Sequence, residues 1–126
     1  MKLDPDCIRD ILLALESICD TGHYFDSRED IEKISGNYSK EKIAYHTRQC
    51  DMAGMLYGFR YCIDDEWEVS DLTPKGHEFL ANIREDTIWN NVKTVSSKVG
   101  SKSLGAISQI ASAVVTEIIK SQFKLY

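Results

Sequence analysis

The chain predicts a mainly α fold with one small β-hairpin, of the α+β class. Three observations predict it. Apolar residues recur at helical spacing over residues 8–19 and again over 104–119. Between these stretches, Tyr57, Phe59, Tyr61 and Ile63 alternate with other residues, and Trp67 and Val69 do the same beyond Asp64-Asp65. Ser39 and Thr73 stand on either side of that hairpin, each where a helix needs a cap.

A length of 126 residues suits one domain with an appendage. Hydrophobic and charged fractions of 43% and 28% are ordinary for a soluble globular protein. The net charge of −5 speaks against a general nucleic-acid binder, but its distribution matters more than its sum. Residues 1–86 hold 19 acids against 10 bases, whereas residues 87–126 hold five lysines against Glu117 alone. Within the acidic part, Lys33, Lys40, Lys42, Arg48 and Arg60 outnumber Glu41 and Asp51 and make a mildly basic island.

Cys7, Cys19, Cys50 and Cys62 form no C-x-x-C pair, and Lys2, Asp4, Asp6 and Asp10 interrupt any apolar run near Met1. Free thiols in a reducing cytoplasm are therefore expected. A zinc site from Cys50, Cys62 and His46 or His77 would lack the closely paired ligands of structural zinc centres, so no metal and no cofactor is expected.

Asp4-Pro5 opens the first helix, with Asp4 as cap and Pro5 in the first turn. Ile8, Ile11, Leu12, Leu15, Ile18 and Cys19 form one stripe, and Gly22 is the expected stop. His23-Tyr24-Phe25 suits a short strand that pairs with the hairpin. Ser27-x-x-Asp30 resembles a capping arrangement for a short helix reaching about Ile34. Ser35 to Tyr38 is a turn, and Ser39 caps a helix from Lys40 to about Ala53, closed by Gly54. Helix, short glycine-containing turn, helix is the helix-turn-helix unit.

Projected at 100° per residue, Ile43, Thr47 and Cys50 share the inner face of this helix, with His46 on the flank as a satisfied boundary residue. Lys40, Lys42, Tyr45, Arg48 and Gln49 remain for outward contacts, and these residue types suit phosphates and base edges in a major groove. Each is equally an ordinary solvated helix residue. Arg60 on the hairpin is a further candidate for DNA. The hairpin turn is acidic, Asp64-Asp65-Glu66, and phosphate would repel it.

Thr73 caps the next helix and Pro74 starts it, with Phe79, Leu80 and Ile83 inward and Gly76 allowing a close approach. Ile88, Val92, Val95 and Val99 mark a further helix that Gly100 breaks. Ser103 caps the last one. Its stripe, Leu104, Ile107, Ala111, Val114 and Ile118, needs a cover: a second copy of the chain first, then this chain's own domain, then a lipid surface. A membrane span is not expected, because Leu104–Ile119 is short and carries Ser108, Gln109, Ser112, Thr116 and Glu117.

Two stretches carry a resemblance. Leu72-Thr73-Pro74-Lys75-Gly76 after a hairpin is similar to the L-T-x-x-G helix start of winged helix-turn-helix transcription regulators. Tyr45-His46 through Ala53-Gly54-Met55-Leu56 resembles their Y-H-x-x-x-L-x-x-A-G-L ending, with Cys50 and Met55 departing from it. Over nearly its full length the chain also resembles a bacterial and prophage family of uncharacterised proteins, domain of unknown function 2513. That resemblance implies a winged-helix fold and a phage or prophage setting, and brings no established activity. The change of character at Asp86 separates a winged-helix domain over residues 1–85 from a helical appendage over 86–126.

The expected function is a DNA-binding transcription regulator that reads double-stranded DNA with the helix over residues 40–53, as a dimer through the C-terminal helices. The alternative is a module that binds a host or phage protein without DNA. No phosphate-binding glycine loop, paired metal-ligand motif or nucleophile with an evident base stands in the chain, so an enzyme is not expected.

Overall fold

The computed structural model describes residues 1–124. It is mainly helical with a small antiparallel sheet. Helix α1 (Pro5–Ile18) supplies a large block of the core through Ile8, Ile11, Leu12 and Leu15, each at most 1% exposed. The Asp4 carboxylate caps it by accepting from the Asp6 and Cys7 N–H groups. The helix ends at Ile18, before the expected stop at Gly22, because Cys19 turns to extended backbone.

Strand β1 (Phe25–Asp26) follows and pairs with the hairpin as its sequence suggests. The cap of α2 (Ser27–Asp30) is Asp26 rather than Ser27. The reason is that Ser27 turns its hydroxyl inward, where it accepts from the Trp67 N–H at 2.9 Å and donates to the Glu66 carboxylate. A short 3-10 turn (Ile31–Lys33) leads to α3 (Lys40–Met52), capped by Ser39.

Helix α3 closes on Gly54 at a φ of +79°, a left-handed conformation that glycine adopts without penalty. The Gly54 N–H bonds the Asp51 carbonyl and the Met55 N–H bonds the Cys50 carbonyl, which is the Schellman pattern. Met55 then drops into the core, 1% exposed.

The hairpin is a long interrupted ribbon. Strand β2 (Leu56–Tyr57) pairs with β5 (Asp71–Leu72), and β3 (Arg60–Tyr61) pairs with β4 (Trp67–Val69). With β1 the order is β1-β4-β3, so β4 is central and β3 is an outer edge. Asp64 and Asp65 both have positive φ, and the Glu66 N–H reaches the Ile63 carbonyl at 3.3 Å. Two positive φ values at the centre of a four-residue turn match the twist of the strands they join.

Helix α4 (Pro74–Ile83) starts against the C-terminal end of α3. The Thr73 hydroxyl accepts from the Gly76 N–H and donates to the Gly54 carbonyl. The Lys75 ammonium donates to the Ala53 carbonyl at 2.8 Å, satisfying the C-terminal end of α3. Gly76 packs so closely that a Cβ there would lie 2.3 Å from the Met55 carbonyl oxygen.

Helices α5 (Asp86–Val99) and α6 (Leu104–Phe123) pack back on α4 and on each other. The inner face of α5 is Trp89, Val92 and Ser96, rotated from the expected Ile88, Val92, Val95 and Val99 stripe. The rotation follows from Trp89, whose indole N–H donates to Asp6 and whose ring lies under Arg9 and Lys93. Arg9 also donates to the Ile83 carbonyl at 3.0 Å and pairs with Asp86, which fastens α5 to α1. On α6 the expected self-association stripe divides. Ile107 and Ala111 are enclosed by this chain's own core, which withdraws them from contact with a second copy. Leu104 and Val114 are half-buried, and Ile118 is exposed. No helix is long and apolar enough to cross a membrane among the described residues.

Candidate interaction face

The outer side of α3 and the hairpin form one face. A concavity lined by Lys40, Glu41, Ala44, Asp64, Asp65 and Trp67 shows that the acidic hairpin tip lies beside the first turn of α3. The six residues expected to contact DNA fall on or near this face, but the fold has already engaged most of their charges.

Lys40 pairs with Glu66 at the hairpin tip, and this ammonium, followed by the Ser27 hydroxyl, holds the Glu66 carboxyl below its ordinary range. Lys42 pairs with Asp4 at 2.7 Å and lies over the Tyr38 ring. Arg60 pairs with Glu68, its cross-strand neighbour on β4. Arg48 is exposed and stacks over the Tyr45 ring at 5.8 Å, with no carboxylate within ion-pair reach among the described residues. Gln49 and Tyr45 are half-buried beside it. Around the concavity Lys40 meets Glu41, Asp64, Asp65 and its partner Glu66, so the hairpin tip beside α3 is acidic on balance.

His46 is fully buried. Its Nε2 accepts from the Asp4 N–H at 2.8 Å, and its Nδ1 lies 2.8 Å from the Lys42 carbonyl. A proton on Nδ1 with Nε2 as acceptor satisfies both bonds, so the ring is a structural tie between α1 and α3. Cys50, one turn further along, is also fully enclosed, and burial pushes its thiol well above the usual range. A thiol held protonated is a poor nucleophile and a poor ligand. Among the described residues no group of three or more His, Cys, Asp or Glu side chains is arranged to hold a metal ion.

Sequence reasoning placed Met52 outward on α3 but missed the exposure of the hairpin's apolar residues. Tyr57, Tyr61 and Ile63 are 66%, 62% and 77% exposed, and Met52 at the end of α3 is 64% exposed. Period-two aromatics ordinarily mark the buried side of a strand. Here Trp67 and Val69 of the central strand fill the core, and β3 overhangs beyond it.

Comparison with known proteins gives a consistent identity without an activity. Residues 2–102 match the model of a family described as "Hypothetical protein (DUF2513)". An "Uncharacterized protein" of Haemophilus influenzae is 34% identical over 124 residues, which cover 94% of this chain and 99% of that relative. No solved structure matches the chain.

Proposed function

We propose that this chain, which belongs to the DUF2513 family, is a winged-helix-like module whose α3–hairpin face binds a protein partner. One observation carries the proposal: three of the four cations expected to hold DNA are paired with carboxylates of this chain. Exposed ion pairs are individually weak, and a phosphate could displace one. The carboxylates would nonetheless remain beside the phosphates and repel them. Exposed Met52, Tyr57, Tyr61 and Ile63 are instead the residue types that protein interfaces favour.

The test is site-specific photo-crosslinking in the organism that encodes the chain. A benzophenone side chain replaces Met52 or Tyr61 on the face, or Val99 as an exposed control. The proposal expects a protease-sensitive adduct from the face positions and none from Val99. A nuclease-sensitive adduct from the face contradicts it.

DNA reading is the second proposal, and Arg48 favours it. This cation sits on α3 with Gln49 as its sequence neighbour, and the pair suits a guanine and an adenine edge. In that case the protein is a transcription regulator, and loss of Arg48 alone weakens binding. Work in a prophage setting and in a reducing cytoplasm completes the proposal, supported by the family resemblance and by four free cysteines. Self-association is supported by the outer end of α6, where Ile118, Ile119 and Phe123 are 40%, 51% and 73% exposed. Sedimentation equilibrium with Ile118→Asp tests it, since a dimer formed there dissociates while the core is untouched.

A further inference from the structure

We infer that the partner is held by strand addition: an extended, cationic protein segment lies along the outer edge of β3, its basic residues facing the acidic tip. The inference rests on the protein-binding proposal and specifies its mode.

The order β1-β4-β3 leaves β3 with a neighbour on one side only. The Cys62 N–H bonds the Glu66 carbonyl across the hairpin at 2.8 Å. Backbone polar groups of a strand alternate in direction, so the Tyr61 N–H and carbonyl turn to the open side. An open strand edge is a template for a further strand, and stable proteins blunt such edges with short strands, lysine, proline or covering elements. Strand β3 is short, two residues, but carries neither lysine nor proline. The only cation of this edge strand, Arg60, is spent on Glu68 across the ribbon. On β3 and just beyond it Tyr61 and Ile63 are exposed, and half-buried Phe59 meets Tyr61 edge-to-face at 5.1 Å. An open edge flanked by exposed Tyr61 and Ile63 is what strand addition uses: main-chain bonds supply affinity and alternate side chains supply choice.

Charge selects the occupant. Past Tyr61 the edge runs into Asp64 and Asp65, with Glu41 on the adjoining turn of α3. None of these three carboxylates has an ion-pair partner among the described residues. A segment carrying Lys or Arg at its end near the tip is attracted, and an acidic segment or a nucleic-acid strand is repelled.

The probe is a short peptide of alternating lysine and valine, titrated into the isotope-labelled full chain and followed by amide NMR. The expected result is shifts at Phe59, Tyr61 and Cys62 and slowed exchange of the Tyr61 amide proton. The matching glutamate–valine peptide is expected to bind about tenfold more weakly or not at all. Asp64→Asn with Asp65→Asn removes that preference. Tyr61→Pro, a substitution an outward-facing edge position tolerates, abolishes binding without unfolding the chain.

Shifts confined to Glu41, Tyr45 and Arg48 overturn strand addition, as does the absence of any shift. In either case a protein adduct from Met52 but not Tyr61 would keep the protein-binding proposal standing without this mode. Nuclease-sensitive adducts would remove both.

Discussion

Individual residues show how few side chains set the geometry of the face. Asp4 caps α1, pairs with Lys42 and gives its own N–H to His46, so one residue ties the first helix to α3. Ser27 joins β4 to the hairpin tip in the same way. Gly76→Ala tests the tightest approach. The new methyl would meet the Met55 carbonyl, and overpacking of this kind costs about 1–3 kcal/mol, to be read from the denaturant midpoint. The carboxylates give a pH prediction. Arg84 holds Glu16 below its ordinary 4.5, Arg28 holds Asp26 below 3.8, and Lys40 holds Glu66 below 4.5. Groups with depressed folded-state values stabilise the fold above their ordinary values and lose that contribution as pH falls through the folded values. The melting temperature is therefore expected to hold steady down to about pH 5 and to fall below it. Glu16→Gln should lie below the parent at neutral pH and converge with it in acid. A gap that stays constant with pH would contradict the assignment.

At the scale of elements, what the sequence made legible was local. Asp4, Ser39, Thr73 and Ser103 were readable as caps because a cap and its N–H partner lie within three residues. The Asp64-Asp65 turn and the Gly54 stop were readable for the same reason, whereas the close approach at Gly76 is to the distant Met55 and was signalled only by the missing side chain. Ser27 was read as a cap because its partners in the hairpin are 39 and 40 positions away. The charge state of the face was illegible on the same grounds. A basic island over residues 33–62 is real in sequence, but Glu66, Glu68 and Asp4 reach it only after the hairpin and α1 fold against α3. Exposure of Tyr61 likewise depends on β3 being an edge, which period-two spacing does not reveal.

In the whole molecule, the C-terminal helices share the core with the residues before them. Trp89, Val92, Ile107 and Ala111 belong to one apolar cluster with Ile8, Leu12 and Leu80. Trp89→Ala removes a ring 3% exposed and its bond to Asp6, so a loss of about 3–5 kcal/mol is expected in a single cooperative transition that includes the hairpin. A separate early transition confined to α5 and α6 would contradict that coupling. Charge is the other property of the whole molecule. An acidic part over residues 1–86 bears the interaction face, and of the five lysines beyond it Lys93 and Lys98 lie on α5, Lys120 on α6, Lys102 between the two helices and Lys124 at the cap of α6. The arrangement favours a cationic protein over an anionic polymer.

Fluorescence anisotropy of the full chain on mixed-sequence duplex DNA, titrated from low to physiological salt, tests the central claim most directly. The partnered cations and the acidic tip predict no saturable binding at physiological salt, and Asp64→Asn, Asp65→Asn and Glu66→Gln together should raise whatever weak affinity appears at low salt. Tight binding by the parent chain, falling linearly with salt on logarithmic axes and lost in Arg48→Ala, would contradict the account and return the face to DNA.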